Sequence, residues 1–246
     1  MSGLSALSGI SGMPALFGGG FSLTDIAGLT LWLEAGVGTW QDAAMTIPAV
    51  NDGDPVGGWA DQSGNGNHPT QPTAAKRPKL RLNIVNTLPV IRFDGIDDWL
   101  KRIMINVTQP WSLFMVFTVR LWVADRHIID GANLQSRISE SAAVGRLQYN
   151  CGAGLSIDGF VVNTFWLITG MVNGAASNIY RNNLAPSAGN LGALNMPNIT
   201  IAARGTALGS GHSQIDVAEI VIYNALLSDD DRALVWDYLN TKYALW

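Results

Sequence analysis

Three carboxylates fall within five residues, Asp94, Asp97 and Asp98, in the stretch LPVIRFDGIDDWL that runs from Leu88 to Leu100. Acids packed this closely repel one another unless water, backbone N–H groups or a cation neutralises them. Two chemistries follow. Asp94 and Asp98 can cap turns by accepting backbone N–H bonds, or the group can coordinate a hard cation such as calcium, which takes ~6–8 oxygens. Catalysis by paired carboxyls is the third option, and the rest of the chain argues against it. Glycoside hydrolysis needs two carboxyls roughly 5–10 Å apart across the scissile bond, and the chain has only three glutamates, Glu34, Glu140 and Glu219. Asp216 and Glu219 lie three apart on a predicted strand, a spacing that sends them to opposite faces. His68, His127 and His212 are scattered and read as surface or loop residues. No nucleophile elbow, zinc-binding helix or phosphate loop is present. Cys151, the single cysteine, excludes an intrachain disulfide and reads as a small packed residue.

The elements that must position these groups are short strands. Ile91 and Phe93 alternate with Val90, Arg92 and Asp94, and Asp94-Gly95 is a strong turn dipeptide because glycine accepts a positive φ. Leu29–Glu34 alternates in the same way, and Trp111–Leu121 is the longest apolar run, predicting a central strand. Further strands are predicted at His127–Asp130, Ser136–Ser139, Arg146–Tyr149, Phe165–Val172, Ala176–Arg181, Ile199–Ala203 and Val217–Tyr223, with a hairpin turn at Asn173–Ala175. The period then changes. Ser228 followed by Asp229, Asp230 and Asp231 predicts a helix start, and Leu234, Val235, Tyr238 and Leu239 give it one apolar stripe. Many short strands with one terminal helix predict an all-β, two-sheet antiparallel jelly-roll sandwich carrying a short C-terminal helix.

Residues 1–22 differ from the rest. Gly and Ser fill half of this segment, yet Leu4, Leu7, Ile10, Met13 and Leu16 recur every third residue. We read 1–22 as an extended N-terminal assembly arm and 23–246 as the sandwich domain. The arm's stripe would order on a neighbouring subunit, making a homo-oligomer the expected state. It carries no Lys or Arg, a poor secretory signal, so synthesis in the cytoplasm is expected. Charged residues make up only 14% of the chain, against ~25% in an average domain, and the net charge of −4 comes with no basic stripe. Lys76, Arg77, Lys79 and Arg81 form one local basic group that reads as a solvated loop. These features argue against nucleic acid, and no apolar run reaches the ~20 residues of a membrane span. Of nine tryptophans, Trp32, Trp99, Trp111 and Trp166 are expected in the core, while Trp40, Trp59 and Trp122 lie in or near loops where a ring can stack on a sugar.

Four segments in this order, LTLWLEAG, VGGWADQSGNGNHPTQPTAAKRP, LPVIRFDGIDDWL and IDVAEIVIYNALLSDDDRALVWDYLNTKYAL, resemble the laminin-G-like, concanavalin A-like lectin/glucanase domains of bacteria and their phages. The resemblance runs from about Leu29 to Leu245. It implies a jelly roll whose C-terminal strand lies beside the first, and a role in binding glycans or protein surfaces. It also implies a structural calcium at the sandwich edge, for which Asp94, Asp97, Asp98 and Asp216 are the candidates, with Glu34 an outlier. Catalytic relatives place Glu and Asp at alternate strand positions, and Ala218 stands where such an Asp would be. The expectation is therefore a non-enzymatic phage virion protein, decorating head or tail or joined to a fibre. Its arm would bind other virion proteins and its sandwich would face outward towards host surface glycans. A stand-alone carbohydrate-binding module or a bacterial surface adhesin is the alternative, and a degenerate glucanase ranks last.

Overall fold

The computed structural model describes residues 20–131 and 136–246. The stripe residues Leu4, Leu7, Ile10, Met13 and Leu16 lie outside them. The described strands are β1 (Leu29–Glu34), β2 (Thr39–Trp40), β3 (Gly58–Trp59), β4 (Lys79–Val85), β5 (Leu88–Arg92), β6 (Leu100–Arg102), β7 (Trp111–Leu121) and β8 (His127–Asp130). They continue with β9 (Ser136–Glu140), β10 (Arg146–Cys151), β11 (Gly154–Asp158), β12 (Trp166–Val172), β13 (Ser177–Arg181), β14 (Ser187–Gly189), β15 (Ile199–Ile201) and β16 (Gln214–Tyr223), and helix α1 (Asp229–Tyr243) closes the chain. All strand pairs in the two large sheets are antiparallel. One sheet runs β14-β13-β12-β7-β16-β5-β4, with β1 also paired to β16, and the other runs β11-β10-β9-β8-β15-β6.

Strand β16 is the axis of the first sheet. One edge pairs with β7 over most of its length. The other edge is shared: Asp216 and Val217 pair with Arg92 and Ile91 of β5, and Glu219–Tyr223 pair with β1. The C-terminal strand therefore lies beside the first one. The register against β7 shifts between Val217 and Glu219, so Ala218 is an extra residue. Such a bulge resets the alternation of faces. Ile215, Val217, Ile220 and Ile222 point into the core between the sheets, whereas Ala218, Val221 and Tyr223 belong to a second core under α1.

The result is three layers: helix, first sheet, second sheet. Burial between the sheets is complete at Phe93, Trp111, Phe117, Ile138, Tyr149, Ile201 and Val217. On the opposite face of the first sheet, Val235, Leu239 and Tyr243 of α1 pack on Val90, Phe114, Val116 and Val221. The helix begins as its sequence demands, with Ser228 Oγ accepting the Asp231 N–H at 3.1 Å and three aspartates in the first turn.

The Asp94 stretch is the corner where the chain leaves the first sheet (β5) for the second (β6). Gly95 is required there twice over. Its φ is +76°, and a Cβ would sit 2.8 Å from the Gln214 Cβ of β16. Two sequence expectations need correction. Lys79 and Arg81, expected in a solvated loop, lie on the edge strand β4. The basic residues of that group are not all free in solvent: Arg77 donates to the carbonyls of Gln41, Gln71 and Pro72, and Arg81 pairs with Asp52 at 2.8 Å.

Close packing between the sheets generates one prediction. Gly170 on β12 faces Tyr149 on β10, and a Cβ there would lie 2.9 Å from the tyrosine hydroxyl and nearer still to its ring. Gly170→Ala should cost about 1–3 kcal/mol by overpacking, read as a lower urea midpoint at unchanged slope.

Candidate functional site

Asp94, Asp97 and Asp98 do come together, each offering an oxygen within 4.8 Å of the others. Their hydrogen bonds are those of a capped turn. Asp94 Oδ1 accepts from the backbone N–H groups of Ile96 (2.8 Å) and Asp97 (3.3 Å), and Asp98 Oδ2 accepts from that of Asp94 (3.0 Å). Burial, and then the Asp94 charge, push the Asp98 carboxyl up to about 6. Asp216 is not part of this group. Both its oxygens are held by Arg92, at 2.8 and 2.7 Å, and Arg120 lies 3.9 Å away. The calcium set expected from sequence is thus reduced to three carboxylates, about half the oxygens the ion takes. Any further ligands would have to be carbonyls or water.

Glu34, the outlier, belongs to a different centre. It is the register partner of Glu219 across β1 and β16. Glu219 is fully buried and accepts four hydrogen bonds: Trp32 Nε1 (2.7 Å) and the Tyr238 hydroxyl (3.1 Å) on one oxygen, Lys242 Nζ (2.7 Å) and the Tyr243 hydroxyl (2.6 Å) on the other. Lys242 also reaches Glu34 at 2.9 Å. The spacing of Asp216 and Glu219 predicts opposite faces. The bulge at Ala218 overturns this, putting Asp216, Glu219 and its register partner Glu34 on the helix side of the first sheet. The side chains are nevertheless committed: Asp216 to an arginine fork, Glu219 to four donors, and both glutamates to one lysine.

Trp32, expected in the core, is instead half-buried and lines an open cleft of about 580 Å³ with Phe21, Leu234, Tyr238 and Lys242. Trp59, expected to be accessible, has no exposed surface, and its indole N–H donates to the Glu34 carbonyl at 2.9 Å. It offers no stacking face. Its loop is anchored for the same reason: Asp61 accepts from Trp32 N, Ser63 N and Asn67 N, all at 2.9 Å, which fastens the DQSGNGN run to β1. Trp40 and Trp122 are half-buried and line neither that cleft nor the pocket described next; Trp122 Nε1 donates to Ser141 O. Of the expected core tryptophans, Trp111 is fully buried, while Trp99 and Trp166 are only partly so.

Trp99 lines a shallow pocket of about 230 Å³ with His68, Thr70, Pro72, Lys101, Arg102 and Ile103. The sequence reading missed it because its parts come from the end of the 61–68 loop and from β6, separated by about thirty residues. Its polar groups are mostly donors. His68 Nδ1 accepts the Asp61 N–H at 2.9 Å, so the neutral ring carries its proton on Nε2. Lys101 and Arg102 add positive charge, and Trp99 Nε1 and Arg102 Nε are buried beside the pocket with no protein acceptor.

The other histidines depart from expectation. His127 and His212 are buried, not loop residues at the surface; His127 Nδ1 lies 2.6 Å from Asp130 Oδ2, and the two histidines share a parallel bridge. Nearby Glu140 accepts from Ser213 Oγ and from Val123 N, and burial pushes it up to about 7. Cys151 is buried, and that burial pushes its thiol up to about 12, away from nucleophilic use.

No family model and no curated protein matches the chain. Solved structures do match it in fold. The binding domain of Paraclostridial Mosquitocidal Protein 1 superposes with a TM-score of 0.61 at 15% identity, over 89% of this chain and 53% of that one. The Botulinum neurotoxin serotype D binding domain gives 0.58 at 12% identity, over 86% and 51%. A Trypanosoma rangeli sialidase in complex with a difluoro-KDN gives 0.55 at 10%, over 95% and 36%. The chain thus spans about half of the toxin domains and about a third of the sialidase. These likenesses concern the fold, a β-sandwich found in toxin binding domains and within a sialidase chain.

Two predictions follow from the buried acids. Lys242→Met leaves Glu219 buried without its cation and should cost about 3 kcal/mol at pH 8. The loss should shrink as pH falls, because burial already favours the protonated form of Glu219, and Glu219→Gln in the same chain should recover most of it; urea titrations at pH 8 and pH 5 check this. Asp98, Glu140 and Glu219 are all held above their ordinary range. The folded state therefore binds more protons than the unfolded one between about pH 4 and 7, so their contribution is fully present below the unfolded values and is lost as pH rises. The melting temperature should be higher at pH 5 than at pH 8, and Asp98→Asn should flatten that slope. Turn capping at Asp94 and Asp98 predicts identical melts of the parent protein with calcium and with chelator; a calcium-dependent rise at pH 8 would instead establish coordination.

Proposed function

We propose that this chain is a non-enzymatic, lectin-like binding protein of a phage virion surface. Its pocket beside Trp99 takes an acidic sugar of a host glycan, and residues 1–22 hold the protein to other virion proteins, as a homo-oligomer. The observation that carries the binding role is the donor-rich character of this pocket. Trp99, the imidazole of His68, and the cationic side chains of Lys101 and Arg102 line a shallow depression, with Lys101 Nζ also donating to the Gly205 carbonyl at 2.9 Å. That set suits a ligand with an apolar ring face and a carboxylate.

The non-enzymatic part rests on the commitment of the carboxylates. Hydrolysis needs one carboxyl to give a proton and another to act as base or nucleophile, both touching the sugar. Glu219 is inaccessible, and Asp216 is locked to Arg92. The virion part is supported by the sequence resemblance and by an uncharged Gly/Ser segment with an apolar stripe ahead of the sandwich.

A glycan array probed with the full chain should light acidic glycans above their neutral counterparts. Arg102→Ala and Trp99→Ala should each weaken binding at least about tenfold, the scale of one lost charge-assisted contact or stacking face. Their melting curves report whether the fold survives. A blank array would overturn the glycan role, and sugar release from bound glycan would overturn the non-enzymatic one. Deletion of residues 1–22 should abolish co-sedimentation with phage particles and leave glycan binding intact.

A further inference from the structure

The cleft at Trp32 is aromatic and acidic at once. Phe21, Trp32 and Tyr238, all half-buried, wall a space of about 580 Å³, and Phe21 packs edge-on against Tyr238 with ring centres 6.3 Å apart. The polar ends of two of these rings are already used. Trp32 Nε1 and the Tyr238 hydroxyl both reach the buried Glu219, at 2.7 and 3.1 Å, so what they offer the cleft is ring carbon. The same bonds hold both rings in place, which lowers the ordering cost of closing them on a ligand.

The charges here do not balance. Lys242 bridges Glu34 at 2.9 Å and Glu219 at 2.7 Å, and it alone answers both. Asp237 is exposed on the helix side of the cleft, and the other cation of α1, Arg232, is taken by Asp229 at 2.6 Å. Three carboxyls against one ammonium leave the cleft negative, and it stays negative when Glu219 carries a proton. Few ligands suit both properties. An anion is repelled, and a sugar finds ring carbon where its hydroxyls need partners. A neutral apolar group strips water from Glu34 and Asp237 without replacing it. A cation sheathed in methyl groups meets both demands, because carboxylates and the negative faces of the rings answer its charge while its methyls pack on ring carbon.

We propose that this cleft is a binding site for a trimethylammonium group, seated against Phe21, Trp32 and Tyr238, with Glu34 and Asp237 supplying the opposite charge. The occupant is choline or a similar ammonium with no adjoining anion, because a phosphate beside the cation would meet the same two carboxylates. The site lies apart from the Trp99 pocket and does not depend on the acidic-sugar reading.

Ligand-observed NMR on the full chain, read as saturation transfer to the choline methyl signal, tests this. Choline should bind with a Kd on the order of 1 mM, the scale of a few partly solvated cation–π contacts. Its uncharged isostere, with a tert-butyl group in place of the trimethylammonium, should bind at least about tenfold more weakly. Phosphocholine should also bind more weakly than choline. Asp237→Asn and Phe21→Leu should each weaken choline about two- to fivefold. Asp237→Lys, at an exposed helix position, should abolish binding with an unchanged melting curve; if that curve shifts, Asp237→Asn carries the test. Trp99→Ala should leave choline binding intact, so a failure of the acidic-sugar reading and a failure at this cleft are told apart. No transfer to choline, equal binding of the isostere or of phosphocholine, or choline binding that survives Asp237→Lys would each overturn the proposal.

Discussion

Glu219 is the constraint on which this architecture turns. A carboxylate with no exposed surface is tolerable only when every lone-pair direction is answered. Here the answers come from both ends of the chain. Trp32 comes from the first strand, while Tyr238, Lys242 and Tyr243 come from the terminal helix. The network therefore fixes three things at once: the pairing of β1 with β16, the seating of α1 on the sheet, and the position of Trp32 at the cleft. Hydrophobic packing under the helix supplies the larger stabilisation, but packing alone is indifferent to small slides of a helix over a sheet. Four directional bonds to one buried carboxylate are not.

Much of the fold was legible because its signals are local. The alternation of Leu29–Glu34, the apolar run Trp111–Leu121 and the Ser228 cap with its three aspartates each specify an element without reference to the rest, and those elements lie where expected. The Asp94–Gly95 turn was equally visible, since only glycine meets its backbone angle and its approach to Gln214. The bulge at Ala218 was not. It depends on how β16 registers against β7 and leaves no compositional mark on β16, so a strict period of two sent Asp216 and Glu219 to opposite faces. Trp32 and Trp59 were exchanged for a similar reason. Both sit in short extended segments, and which one is covered depends on the β2–β3 ribbon folding inward and the 61–68 loop being tied to β1 by Asp61. The Trp99 pocket is a product of the same long-range assembly.

The distribution of charge then limits where function can reside. The space between the sheets is filled by Phe93, Trp111, Phe117 and Tyr149, so no ligand enters the sandwich. The helix covers much of the outer face of the first sheet, and the acids the bulge places there are buried and answered by Arg92 and Lys242. What is left is the rim, where loops from non-adjacent parts of the chain meet. There Trp99 Nε1 and Arg102 Nε have no protein acceptor, while Lys101 Nζ is held by the Gly205 carbonyl and His68 Nδ1 by the Asp61 N–H. A sandwich of this kind is thus shared by binding domains and enzyme segments because its interior is spent on stability and its edges are free to vary. In this chain the edges carry a basic aromatic pocket and an aromatic-walled cleft in which Lys242 answers Glu34 and Glu219 and Asp237 lies on the rim. An acidic sugar in that cleft would be desolvated against Phe21 and Leu234 with little in return. An apolar segment at the Trp99 pocket would strip water from Lys101 and Arg102 without replacing it.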